Sequence, residues 1–249
     1  MHRETLASIV AAYRVKESDI VGDADPIASI ERVMTRTWRE WLSLFAKESE
    51  MLAGIFIGRV SAHTTASLRE QLKGKMPTVR FDPKRATNKL QQQLIRNNVE
   101  LIKSIPEEYF DDIQKLVTKA VAKGRDVHGL INDIEQTYGV TKRRASLIAR
   151  DQIEKATSQI AQREELALGI VYGRWVHGRG GKHPRPFHVK ANGKIFKIAK
   201  GMYIQGRWVL PGMDINCCCF WEILVPGYQD FKIGTVPVGY KDVYAELQG

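Results

Sequence analysis

Three cysteines, Cys217, Cys218 and Cys219, stand in a row, with His177, His183 and His188 upstream and Asp214 just before them. In an extended backbone alternate residues share a side, so Cys217 and Cys219 point one way and Cys218 the other. With a bend in the chain, those two thiols converge with His188, and with one more group from His177, His183 or Asp214, on a single zinc ion. Zinc wants a closed tetrahedral set of such nitrogen and sulfur ligands. The spacing is not a C-x2-C pair, and small buried thiols are common in β cores, so the plainer reading is a packed pair of thiols beside a hydrogen-bonded imidazole. No cofactor is therefore expected, and structural zinc at His188, Cys217 and Cys219 stays open beside that reading.

The same histidines frame a catalytic alternative. A metal-dependent nuclease, or another nucleic-acid-processing enzyme built on a His/Cys-containing β module, would gather His177, His183, His188 and Asn192 around a hairpin and activate a water for phosphodiester attack. No acidic residue lies between Leu166 and Met213 to hold magnesium, and no helix with a second histidine follows the hairpin. A P-loop and a G-x-S-x-G motif are absent, and Gly178-Arg179-Gly180-Gly181 lacks the strand-to-helix setting of a phosphate-binding turn. The expectation is a protein that is not an enzyme.

The acid-free stretch carries nine basic residues, Arg174, Arg179, Lys182, Arg185, Lys190, Lys194, Lys197, Lys200 and Arg207, and most of the chain's imbalance of 38 Lys plus Arg against 28 Asp plus Glu. A formal charge of +10 points to a polyanion. These nine side chains are the expected contacts to double-stranded DNA, each phosphate neutralised adding roughly −0.9 to the slope of log affinity against log salt. No recognition helix, zinc finger or RNA-recognition motif is present to read bases, so the contact would be sequence-nonspecific. The plain alternative is a solvated basic face. Arg185, between Pro184 and Pro186, is held in an extended backbone that presents its guanidinium to a phosphate or to a carboxylate.

The elements that must position these groups divide the chain. A total of 249 residues, 43% hydrophobic and 27% charged, excludes a wholly disordered chain and a coiled-coil rod. Asp25-Pro26 starts a helix that carries Ile27, Ile30, Met34, Trp38, Trp41 and Phe45 to about Ser49, both tryptophans reading as core; a second apolar run, Leu52 to Val60, ends before a linker at Lys73–Pro77. Further helices are expected over Pro83–Lys103, from a capping box at Ser104 to Gly124, from Val127 to Gly139, and from a Thr141 cap to about Leu168.

After Gly169 the pattern turns to short apolar runs between Gly and Pro. Strands are expected at Tyr172–Val176, Val189–Lys190, Lys194–Ile198, Arg207–Leu210 and Phe220–Val225, with Asn192-Gly193 as a hairpin turn. The fold class is α+β: a largely helical N-terminal two-thirds followed by a small β-rich module. The segments are 1–76 (helical), 77–168 (helical), 169–227 (β-rich and basic) and 228–249 (a tail without clear period). No apolar run is long enough to span a membrane, Met1 is followed by His, Arg and Glu rather than a signal core, and an odd set of adjacent cysteines fits a reducing compartment.

Several weak motifs then fall in one order. Asn98-Val99-Glu100-Leu101-Ile102-Lys103-Ser104-Ile105-Pro106, Gly139-Val140, Arg144-Ala145-Ser146-Leu147-Ile148-Ala149-Arg150-Asp151-Gln152, Gly169-Ile170 and Arg174-Trp175 are followed by Pro184-Arg185-Pro186-Phe187-His188, Asn192-Gly193-Lys194, Pro211-Gly212 and Asn216-Cys217-x-Cys219. Together, over about residues 90 to 227, they resemble the phage Mu F-like head morphogenesis family. Two places depart from that pattern. Asp214-Ile215-Asn216-Cys217-Cys218-Cys219 stands where members often have His-Pro-Asn-Cys-Arg-Cys, and His183-Pro184-Arg185-Pro186 stands where many carry C-x-x-C, which removes ligands from any metal site of the family's pattern. The resemblance implies a minor head (capsid) protein of a tailed bacteriophage or prophage, located in the virion and, during assembly, in the bacterial host cytoplasm. The portal protein, the major capsid protein and packaged DNA would be its partners, with no membrane involved. Some members carry C-terminal toxin domains, for which the residues after Val225 leave no expected room.

Overall fold

The computed structural model describes residues 2–13, 26–73, 75–76, 82–122, 127–178 and 184–225. The expectations for Asp25, for Gly74 and Pro77 of the linker, for the Gly124 stop, for Arg179, Lys182 and His183, and for the tail lie outside these. Four long stretches of helix come first: α1 (His2–Tyr13), α2 (Pro26–Leu72), α3 (Pro83–Ala122) and α4 (Val127–Ala167). Then follow β1 (Tyr172–Val176), a short α5 (Pro186–Ala191), β2 (Ile195–Lys197), β3 (Met202–Ile204), β4 (Arg207–Val209) and β5 (Phe220–Leu224), an α+β arrangement.

Helices expected as separate pieces are continuous. The Ser49 hydroxyl donates to the Ala46 carbonyl, Ser104 to Leu101 and Thr141 to Thr137. Ser104 and Thr141, which would have capped new helices, and Ser49, expected near a helix end, are thus satisfied by the turn behind them. Pro106 lies inside α3, where it forfeits one backbone hydrogen bond to residue 102. Gly139 in the middle of α4 costs about 1 kcal/mol relative to alanine without ending the helix. True ends carry recognisable chemistry. Asp82 Oδ1 accepts the N–H groups of Lys84 and Arg85 ahead of Pro83, an N-cap followed by proline in the first turn. At the far end of α4, Gly169 takes φ +76° while its N–H donates to Leu166 and the Ile170 N–H donates to Glu165, the paired bonds of a Schellman stop.

Strand β1 is the centre of an antiparallel sheet of order β2-β1-β5, with Trp175 opposite Trp221 and Gly173 opposite Phe196 and Ile223. A side chain at Gly173 would put its Cβ 2.7 Å from the Trp221 ring, so glycine there lets that indole lie flat on the strand. β3 and β4 form a separate hairpin around Gln205 and Gly206, whose φ values of 50° and 80° fit a two-residue primed turn. Two expectations are corrected. Val189–Lys190 is helical within α5, because Pro186 presets the first helical turn. Asn192-Gly193 joins this helix to β2 rather than joining two strands, and β3 was not expected at all.

The described residues fall into two compact units, one within 1–54 and 95–148 and the other within 55–94 and 149–225. The chain passes between them inside α2, α3 and α4 rather than in loops near 76 and 168. The first unit buries Ile9, Met34, Trp41, Tyr109, Phe110, Ile113, Leu130 and Ile134. Trp41 is core as expected, stacked on Phe45 and Tyr109, whereas Trp38 is 39% exposed. The second unit packs Leu68 against Trp175, Phe196, Ile198, Met202, Cys217, Cys219 and Trp221. Among the described residues no helix is long and apolar enough to cross a membrane.

Candidate functional site

The loop between β4 and β5 carries the three cysteines, and side chains from the last turns of α4 hold it by polar bonds. Ser158 Oγ donates to the Pro211 carbonyl at 2.6 Å, and Asp151 Oδ1 accepts the Asn216 N–H at 2.8 Å. Asn216 takes φ +54°, a conformation asparagine tolerates, and the Cys217 N–H closes the turn on the Asp214 carbonyl. Further along α4, Gln162 Nε2 donates to the Ile198 carbonyl at 2.7 Å. On the facing side, α5 is set by the turn after it. The Gly193 N–H donates to Trp175 and the Trp175 N–H to Lys194, while Asn192 Oδ1 accepts the His177 N–H. Asn192 thus serves the backbone of β1's exit, not a cluster of imidazoles.

This framework brings His188, Cys217 and Cys219 together. All three are buried, and one ligand atom from each lies within 4.8 Å of the others. Nδ1 of His188 is 3.4 Å from Cys217 Sγ and 3.7 Å from Cys219 Sγ. Its Nε2 lies 3.2 Å from Asp214 Oδ2, and the other carboxylate oxygen accepts from Arg207 at 2.7 Å. Asp214 is therefore behind the imidazole rather than beside the thiols. The edge of Trp175 packs on the His188 ring with centroids 5.3 Å apart. His177 lines the same small cavity but stands outside the cluster, and His183 lies outside the described residues.

The thiols are unequal. Cys217 is held well below the usual cysteine range, first because the Cys219 thiol donates to it, then because the N–H groups of Cys219 and Gly212 and the His188 ring favour its thiolate. Cys219 is raised because it keeps the proton it donates. Burial and Glu154 raise the more exposed Cys218. A thiolate beside a thiol and an imidazole is a soft donor set, suited to zinc and unsuited to magnesium.

The nine basic residues part company. Arg174 meets Glu222 at 3.7 Å across two strands, and Arg207 is engaged by Asp214. The Arg185 guanidinium donates to the Ile215 carbonyl at 2.8 Å. Lys190 lies over the Phe187 ring and Lys200 over Trp208, both ammonium groups on exposed residues. Lys194 and Lys197 flank β2 at the sheet edge, and Arg179 and Lys182 lie outside the described residues. The acid-free segment thus borrows two acids, Asp214 and Glu222, from just beyond its end.

Sequence reasoning missed the acids of α4. Glu164 and Glu165 are buried, the first accepting from Thr65 at 2.6 Å and the second from the Trp221 indole at 2.7 Å. Burial pushes Glu165 up to about 8 despite that bond, with Glu164 adding to the rise. Asp151 was noted only as part of a motif. The available signal was slight: two adjacent glutamates one turn before a helix stop, on the side that also carries Ala161 and Leu168.

Comparison with known proteins follows this geometry. The family described as Phage Mu protein F like protein matches residues 111–222, a span that runs from within α3 into β5 and contains Asp151, His188, Asp214, Cys217 and Cys219. A protein of Haemophilus influenzae, described only as uncharacterized, is 30% identical over 180 residues, covering 69% of this chain. The chain spans only 38% of the length of that relative. No solved structure matches. Over residues 111–222 the chain is thus similar to the Phage Mu protein F-like family.

Proposed function

We propose that this chain is a minor head protein of a tailed bacteriophage, acting in head morphogenesis near the portal or the capsid interior and touching packaged double-stranded DNA without reading its sequence. The observation that carries this reading is the family match, a family of phage head morphogenesis, over the segment that contains the basic β-rich module. Within residues 169–225 the sequence sets nine basic residues against two acids, Asp214 and Glu222. With Arg174 beside Glu222 and Arg207 beside Asp214, Lys190, Lys194 and Lys200 are the cations we assign to phosphates, with none of the groove-reading elements that specificity requires. Protein contacts to the portal or major capsid protein fall to the helices. On α2, Leu44, Met51 and Leu52 are 41%, 54% and 48% exposed at helical spacing, the kind of apolar stripe a partner covers.

The test pairs two measurements. Retention of duplexes of unrelated sequence should fall steeply and alike with rising salt. The triple variant Lys190→Glu, Lys194→Glu, Lys200→Glu should lose at least about tenfold in retention with its circular dichroism unchanged, since three reversals remove three phosphate contacts and add repulsion. Heads purified from infected cells should contain the chain. Unchanged retention removes the DNA contact, absence from heads removes the head-protein reading, and metal-dependent cleavage of the duplex replaces both with a nuclease.

A further inference from the structure

We propose that His188, Cys217 and Cys219 hold one zinc ion, with the fourth coordination position opening into the small cavity that His177, Pro184 and Asn216 line. Geometry comes first. Ligand atoms on a tetrahedral zinc with a sulfur at about 2.3 Å and a nitrogen at about 2.05 Å lie about 3.6 Å apart. The two sulfur-to-Nδ1 distances, 3.4 and 3.7 Å, bracket that value. Thiol and imidazole have thus been brought to the spacing of co-ligands from two separate pieces of chain: α5, and alternate positions of the loop before β5.

The imidazole is also oriented as a ligand. Asp214 accepts the Nε2 proton, which leaves the Nδ1 lone pair aimed between the two sulfurs, and Arg207 holds the other oxygen of that carboxylate. A carboxylate behind the distal nitrogen is the arrangement that fixes the tautomer and strengthens the donor in zinc sites. Gly178 and Gly212 both lie against backbone carbonyls of the cysteine run. Both glycines are sterically required. A Cβ at Gly178 would lie 1.9 Å from the Cys218 carbonyl oxygen, and Gly212 takes φ +80° with a Cβ position 2.3 Å from Ser158 Oγ. The Trp175 indole N–H, otherwise without a hydrogen-bond partner, turns to Cys219 as well.

The fourth position has room. The adjoining cavity is about 30 Å³, the share of liquid volume of one water molecule. On binding, two Zn–S bonds and one Zn–N bond form as the S–H bonds of Cys217 and Cys219 break and their protons leave to solvent. The ion would tie α5 to the cysteine loop beside the Arg185–Ile215 and His188–Asp214 contacts.

The full chain, expressed with zinc and passed over a desalting column, should carry one zinc per molecule by elemental analysis. In the native protein one thiol, Cys218, should react readily with a thiol reagent, and the other two should react only as zinc is released to a chromogenic chelator, two thiols for each ion. Replacement of zinc by cobalt should give a thiolate-to-metal charge-transfer band with tetrahedral ligand-field intensity. Cys218→Ser should keep the metal, Cys217→Ser and Cys219→Ser should lose it, and Asp214→Asn should weaken it about 10- to 100-fold. Wild-type chain that binds no zinc when zinc is offered, or three thiols that react alike in its presence, overturns the proposal without any variant having to fold. Retention of stoichiometric zinc by the Cys217→Ser, Cys219→Ser double variant overturns it too.

Discussion

Trp41 and Trp175 each anchor a core, and the two indoles are held by different physics. Around Trp41 the partners are rings: Phe45 and Tyr109 stacked at 5.9 and 5.6 Å, Phe110 edge-on at 5.4 Å, with aliphatic side chains of α3 and α4 beyond. Around Trp175 the partners are Phe196, an imidazole and a thiol, and the loops that complete this core are fixed to α4 by Asp151, Ser158 and Gln162. The first core is made by burial, which has no direction and forgives changes of shape that keep volume. The second is made by directed bonds to backbone groups, which tolerate no substitute that lacks the right atom. A small β-rich region of short strands cannot bury enough apolar surface by itself, so it leans on a helix through hydrogen bonds.

That contrast can be broken. The largest effect is expected at Trp41→Ala, a loss of about 3–5 kcal/mol by denaturant unfolding, with Trp41→Phe keeping most of it. Equal damage from both would mean that the indole does something other than fill space. Next is the pH response of the second unit. Glu165 titrates near 4.5 when unfolded and near 8 when folded, so the folded chain holds an extra proton between those values. Stability should therefore fall as pH rises from about 4.5 to about 8, by on the order of a few kcal/mol, and level off above. Glu165→Gln keeps an acceptor for Trp221 and should flatten that slope; a slope unchanged in the variant would assign the titration elsewhere. The smallest effect is at Asp151→Ala, about 1.5–3 kcal/mol for a charged acceptor lost from a backbone N–H. Hydrogen exchange should quicken at residues 216–219 and stay slow around Trp41, and a uniform loss of protection would show that the two cores do not divide as described.

Much of the fold was legible in the residues. The period change after Gly169, the extent of β1 and the positive φ of Gly169 and Gly193 all follow from side-chain spacing and the freedom of glycine. Helix boundaries were not legible, because serine and threonine hydroxyls read as caps until the structure shows them bonded backwards at Ser104 and Thr141. The site was half legible. Alternation alone placed Cys217 and Cys219 on one side, and it named His188 as the group to meet them. It left the place of Asp214 open, since nothing in a sequence tells which imidazole nitrogen a carboxylate will occupy. Asp151 was beyond reach, because its partner Asn216 lies 65 residues away and the bond runs to backbone rather than to a side chain of opposite charge. Arg207 and Arg174 looked like free cations for the same reason: their acids arrive from β5 and its preceding loop.

The weaving of α2, α3 and α4 through both units has a consequence for how the chain is made. On a ribosome the first unit has all its described pieces only once residue 148 has emerged, and the second only after β5. Until then Trp41, Leu68 and the other apolar side chains of α2 wait without the partners that cover them in the finished protein. Folding by completed N-terminal domains, the usual protection of a growing chain, is closed to this topology, so most of its long-range contacts must form together and late. A nascent chain stalled short of residue 148 should be found bound to chaperones rather than folded.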